Sequence, residues 1–153
     1  MTNEAIITIH KRAFWLALGL NLVWINASEV WRYFQIVRPM LLDTFPNQPG
    51  IAAVTPGIFA SWMIWDTILI VAATGLYWLW LTKFRHGLAE TIWASLAFTV
   101  TVFGLIWLGI VNMGLAPAKF IWAALPLAWL EQLVAAGITF WAIRHETAKR
   151  TNA

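Results

Sequence analysis

Three acidic residues stand in apolar surroundings: Glu29 in NASEVWR, Asp66 in MIWDTIL and Glu131 in AWLEQLV. An ionisable group deep in a bilayer costs ~2.5–3.5 kcal/mol on insertion scales, so such groups are by default functional. Carboxyl groups in that setting can bind a cation, exchange a proton or bond from helix to helix. Arg32 follows Glu29 by three residues, the spacing of a same-helix ion pair. Asn26 and Asn112 add amides that can both donate and accept. These six residues are the candidate ligand or ion pocket. Glu29, Asp66 and Asn112 are expected around its mouth, with Asn26 and Glu131 below. Arg32 is expected as gate or counter-ion. The competing reading is plain hydrogen bonding between helices, and helical spacing alone does not separate the two.

Other chemistries find little support. The chain has no cysteine, which removes disulfides, thiolate metal sites and thiol catalysis. The three histidines, His10, His86 and His145, fall at the edges of apolar segments and not inside them, which argues against an intramembrane haem. His86 and Glu90 are four residues apart and with His145 make a weak candidate metal set; histidines at a boundary more often flank a helix end. Phosphate-binding glycine loops, nucleophile elbows and HExxH are absent. No cofactor and no metal are expected. Asn26-Ala27-Ser28 matches a glycosylation sequon, but it lies in an apolar segment.

The elements that must position the acids are four apolar segments, at about 14–36, 58–82, 89–115 and 120–143. Each exceeds the roughly 20 residues that cross a bilayer as a helix. With 61% hydrophobic and 11% charged residues, and a mean hydropathy of +0.71, the chain has too little polar surface for a water-facing globule. The expected fold is all-α: one integral membrane four-helix bundle over residues 1–153, with the lipid bilayer as its main partner. Its apolar start is too long for a cleaved signal, so it is expected to be retained as the first span. The net charge of +3 lies in short clusters between the spans, which argues against nucleic acid.

Lysine and arginine set the orientation. With the N-terminus in the cytoplasm, Lys11, Arg12, Lys83, Arg85, Arg144, Lys149 and Arg150 lie inside, and Arg32, Arg38 and Lys119 outside. Both termini are therefore expected in the cytoplasm, in the cell's inner or plasma membrane. The outer loop from Val37 to Gly57 is the long one. Its prolines 39, 46, 49 and 56 are expected to end the first helix, and its first part to lie along the outer interface. Pro126 frees a carbonyl one turn earlier and suits a bend in the fourth span.

At 100° per residue, Asn21, Asn26, Ser28, Glu29, Arg32 and Tyr33 share one side of span 1. Span 2 aligns Trp62, Asp66, Ala73 and Tyr77; span 4 aligns Ala124, Ala128, Glu131, Ala135 and Thr139; span 3 aligns Thr101 and Asn112. Of the twelve tryptophans, Trp15, Trp78, Trp80 and Trp141 suit a cytoplasmic belt, and Trp31, Trp62 and Trp122 an outer one. Trp24, Trp65, Trp93, Trp107 and Trp129 lie deeper, as pocket walls or core.

Four spans with an acid in the first resemble the small multidrug transporters, in architecture alone. The strong charge bias, the long outer loop and two further acids depart from that pattern. Three functions remain open. One is a small transporter or binding subunit for a cation, amine or protonated solute, in which carboxylates and aromatic faces meet the charge. Another is an accessory or assembly subunit of a larger membrane complex. The last is an intramembrane enzyme on a lipid or quinone-like substrate, with Glu29 and Asp66 as an acid–base pair. A homo-oligomer is expected of so small a bundle, and a membrane-complex partner is the alternative.

Overall fold

The computed structural model describes residues 3–84 and 87–151, and the side chains of 11–84 and 87–149. The described residues are helical apart from short turns and loops, with no strands among them, and four helices are long and apolar enough to cross a membrane.

The first rod comprises α1 (Asn3–Arg32), a π turn (Tyr33–Val37) and α2 (Arg38–Thr44). It therefore runs beyond the point where Pro39 was expected to stop it. The Arg38 N–H reaches back five residues to the Tyr33 carbonyl, and Pro39 sits in the first turn of α2. A proline placed there forfeits a backbone bond that a helix start leaves unmade in any case. The chain leaves the helix just before Pro46, so the loop between the first two rods is 45–55.

The second rod is α3 (Pro56–Lys83), capped by the Thr55 hydroxyl, which accepts from the Ile58 N–H, with Pro56 in its first turn. The third comprises α4 (Leu88–Phe98), a π segment (Thr99–Gly104) and α5 (Leu105–Asn112). It ends three residues short of the expected position 115. Gly114, at φ +69°, donates to Val111, and Leu115 donates to Ile110, the paired bonds of a Schellman stop. A Cβ on Gly114 would meet open space, so Gly114→Ala carries only the left-handed backbone penalty. We expect a loss of about 1 kcal/mol in unfolding free energy. No measurable loss would mean that this turn does not set the end of α5.

The fourth rod, α6 (Lys119–Thr151), continues through Pro126. It packs along α1 more extensively than any other pair of rods, and it also meets α3 and α4. Small residues make this approach possible: Ala128, Ala135, Ala136 and Ala142 of α6, Ala13 and Ala17 of α1, Ala73 of α3 and Ala94 of α4 are all buried. Bulkier side chains, Ile25, Ile70, Tyr77, Phe98 and Phe103, fill the space between. The exposed surface holds Val23, Ile64, Ile68, Leu79, Leu105 and Leu108, a perimeter suited to hydrocarbon.

The π segment is the feature the regular count along the third rod does not anticipate. The Thr99 hydroxyl donates to the Ser95 carbonyl and Thr101 to that of Ala97, drawing helix acceptors away from the backbone. The extra residue of a π turn rotates everything beyond it by about 100°. The buried polar face of the rod is Thr91, Ser95 and Thr99, at four-residue spacing up to the start of the π segment, while Thr101 and Asn112, expected on the pocket side, are exposed. Beyond the π segment the backbone of α5 stands away from the other rods.

Candidate functional site

The space beside α5 is a cavity of about 370 Å³ at the end of the bundle that holds the 45–55 loop. All four rods line it. The first contributes Tyr33, Ile36, Val37 and Met40; α3 contributes Trp62 and Trp65; the third rod contributes Phe103, Ile106, Trp107 and Ile110; α6 contributes Phe120, Ala123, Ala124, Leu127 and Ala128. Trp107 stacks on Phe120 with ring centroids 6.3 Å apart, and Tyr33 meets Trp62 edge-on at 5.1 Å. The charged groups in this aromatic wall are Glu29 and Arg32.

One turn of α1 separates Glu29 from Arg32, and the guanidinium donates to the Glu29 carboxylate through Nη2. Its other nitrogen, Nη1, lies 3.6 Å from Glu131 Oε2 on α6. A single cation thus spans two acids on two helices. The third acid, Asp66 on α3, is near enough to feel the charges of both Glu29 and Arg32. Asp66 and Glu131 are each 2% exposed, and Glu29 is 7% exposed. Four of the six expected pocket residues, Glu29, Arg32, Asp66 and Glu131, therefore form one electrostatic cluster. Glu131 was expected deeper than the other acids, but the same guanidinium reaches it and Glu29.

The two amides stand apart. Asn26 is half-buried and donates to the Leu22 carbonyl of its own helix at 2.7 Å, lining neither this cavity nor the groove described next. Asn112 is exposed at the end of α5, like Thr101, with which it shared a stripe.

Some valences in the cluster are unfilled. Asp66 Oδ1, Glu131 Oε2 and Arg32 Nη1 are buried and make no hydrogen bond. With all groups ionised, carboxylates outnumber cations by two around one guanidinium. Buried charge of that kind is costly unless something pairs with it.

On the side of α1 and α6 away from the cavity lies a lateral groove of about 580 Å³, bordered by Trp24, Trp31, Ser28, Leu130, Val134 and Glu131 among others. Arg32 and Leu127 border both spaces. Trp24, one of the deep tryptophans, braces the groove by donating to the Glu131 carbonyl at 3.0 Å. Of the other deep tryptophans, Trp65 and Trp107 wall the cavity and Trp93 is exposed.

Sequence reasoning passed over Gln132. It is fully buried, accepts from the Tyr77 hydroxyl at 2.7 Å and donates to Glu131 Oε1 at 3.1 Å. The clue was a neutral amide beside an acid in a span. Tyr77 reaches it because helical side chains lean toward the N-terminus, which on α3 points toward the cluster. Further along, Asn21 on α1 donates to Thr74 at 3.0 Å and to Thr139 at 3.3 Å, tying three rods together. Removing the Tyr77 hydroxyl (Tyr77→Phe) leaves Gln132 Oε1 without its donor. We expect a destabilisation of about 0.5–1.5 kcal/mol in detergent unfolding, in the range of interhelical bonds in membranes. A larger loss would indicate that Gln132 in turn holds Glu131 in place.

The weak metal set is not assembled among the described residues, where no group of three histidine or acidic side chains is placed to hold an ion. His86 lies outside the described residues. Glu90 accepts from Trp80 at 3.0 Å, and His145 stacks on Trp141. Comparison with family models, curated proteins and solved structures gives no match for this chain.

Proposed function

We propose that this chain is a multi-pass membrane protein that binds an apolar ligand carrying a positive charge, as a small transporter or the binding subunit of one. The observation that carries the proposal is the excess of buried carboxylates over cations beside an aromatic cavity: Glu29 on the cavity wall shares Arg32 with Glu131, which borders the neighbouring groove, and Asp66 lies close by without an ion pair of its own among the described residues. A ligand cation would supply the missing charge, and Trp62, Trp65 and Trp107 would offer it ring faces. The cavity's size suits a small aromatic or branched amine rather than a hydrated metal ion, since most of its wall can give no hydrogen bond to water.

In this proposal the charge bias of the loops sets both termini in the cytoplasm of a cell whose inner or plasma membrane holds the protein. The cavity then opens toward the outer face. Transport, if the protein carries its ligand across, would need a second state open to the cytoplasm.

The test uses benzyltrimethylammonium and its uncharged carbon isostere, neopentylbenzene, titrated into the purified protein in lipid nanodiscs. The cation should bind at least about tenfold more tightly than the isostere, the size of one charge-assisted contact. Equal affinity would remove the charge from recognition and leave an apolar crevice.

A further inference from the structure

The groove between α1 and α6 shares two residues with the cavity, Arg32 and Leu127, yet it faces the outside of the bundle. It also has its own acid. Glu131 borders the groove and not the cavity, its side chain is 1% exposed, and its Oε2 makes no hydrogen bond. The polar groups around that carboxylate are Ser28, Gln132, which donates to Oε1 at 3.1 Å, and Arg32, whose Nη1 lies 3.6 Å from Oε2. Beyond them the groove is walled by Trp24, Trp31, Leu130 and Val134. A surface that merely met hydrocarbon would gain nothing from a carboxylate oxygen at its floor that has no hydrogen bond and only a distant share of one guanidinium.

We propose that the α1–α6 groove is a second binding site, for the single-chain cationic amphiphile, with the head at Glu131 beside Arg32 and the alkyl chain along Trp31, Leu130 and Val134. This rests on the cationic-ligand function proposed above and names the ligand class: one that dissolves in the membrane and arrives from the side. Arg32 and Leu127 form the partition between groove and cavity. A head group that competes with Arg32 for Glu131 loosens that partition, because the guanidinium holds Glu131 less closely than it holds Glu29. The charge balance selects this occupant. A neutral lipid or an anionic head would leave the acid excess uncompensated.

The experiment is photolabelling of the protein in nanodiscs by dodecyltrimethylammonium carrying a diazirine at the chain end, with adducts mapped by mass spectrometry. Adducts that excess unlabelled dodecyltrimethylammonium suppresses should fall on the groove, around Trp31, Leu130 and Val134. They should drop at least about tenfold in Glu131→Gln, the loss of one charge-assisted contact. Should Glu131→Gln fail to fold, Val134→Trp, which fills the chain end of the groove from a part-exposed position, should abolish the same adducts. Suppressible adducts on the cavity wall alone, at Ile106 or Ala123, overturn the groove site and leave the cavity proposal standing. Labelling that is unsuppressed and spread around the whole perimeter overturns the groove site, while the benzyltrimethylammonium titration decides the cavity independently. A protected groove in a particle with the mass of two chains assigns it to a second copy and likewise overturns the proposal.

Discussion

Arg32→Ala should destabilise the protein by about 3–5 kcal/mol, the cost of stripping the partner from buried charge. The guanidinium is the cation that holds Glu29 and faces Glu131, and both acids are buried. Removing it leaves carboxylates that must stay ionised without compensation or take up protons and lose their charge. Either way the folded state loses a link between α1 and α6, the pair of rods with the most extensive packing. The attribution to charge is open to a direct check. Adding Glu29→Gln and Glu131→Gln to Arg32→Ala should restore most of the lost stability, because no charge then remains to be paired. Reversible unfolding in mixed micelles, followed by tryptophan fluorescence, would measure both variants. A triple variant as unstable as Arg32→Ala alone would show that Arg32 acts through its packing and not through its charge.

Asp66→Asn is expected to behave in the opposite way. Asp66 has a buried oxygen without a hydrogen bond, and it owns no share of Arg32 within ion-pair distance. The amide keeps the shape and removes the surplus charge. Stability should hold within about 1 kcal/mol of the parent, or rise, since an uncompensated buried charge is a burden on the fold. Affinity for benzyltrimethylammonium should fall by about tenfold, through the loss of a nearby buried charge and not of a direct contact, since Asp66 does not itself line the cavity. Calorimetric titration in nanodiscs gives the second quantity and thermal unfolding the first. Unchanged affinity would place Asp66 outside the ligand's electrostatic reach and leave Glu29 as the acid of the cavity.

Much of this arrangement was readable from one-dimensional pattern. Hydropathy delimits the four rods, because a membrane-crossing helix announces itself by length. The 100° count along span 4 aligned Ala124, Ala128, Glu131, Ala135 and Thr139, of which the last four are buried and Ala124 half-buried. The same count aligned Trp62, Asp66, Ala73 and Tyr77 on α3, of which the last three are buried and Trp62 half-buried. It failed along span 3, because periodicity groups residues into stripes without saying which stripe faces the bundle: Thr101 and Asn112 are exposed, and Thr91, Ser95 and Thr99 are the buried polar face. Pro39 misled for a different reason. A proline stops a helix only where its absent N–H is needed, and the π turn before it changes which bonds are needed. The sharing of Arg32 by two acids was out of reach as well, because the Glu29–Arg32 spacing accounts for only the half of it that lies within one helix. Gln132 was overlooked because an uncharged amide carries little weight in a search for ionisable groups.

The length of the first rod carries a separate consequence. From Lys11 to Thr44 it runs 34 residues, or about 51 Å at 1.5 Å per residue. A hydrocarbon core is about 30 Å deep. In the bilayer proposed above, a rod so much longer than the core must lean or protrude, and each ångström of mismatch costs only a fraction of a kcal/mol. Ile36, Val37 and Met40, which line the cavity, belong to the end of the rod that would move most. Membrane thickness then becomes a variable that acts on the cavity mouth: the same protein in short-chain and long-chain lipids should present differently shaped entrances to its ligand.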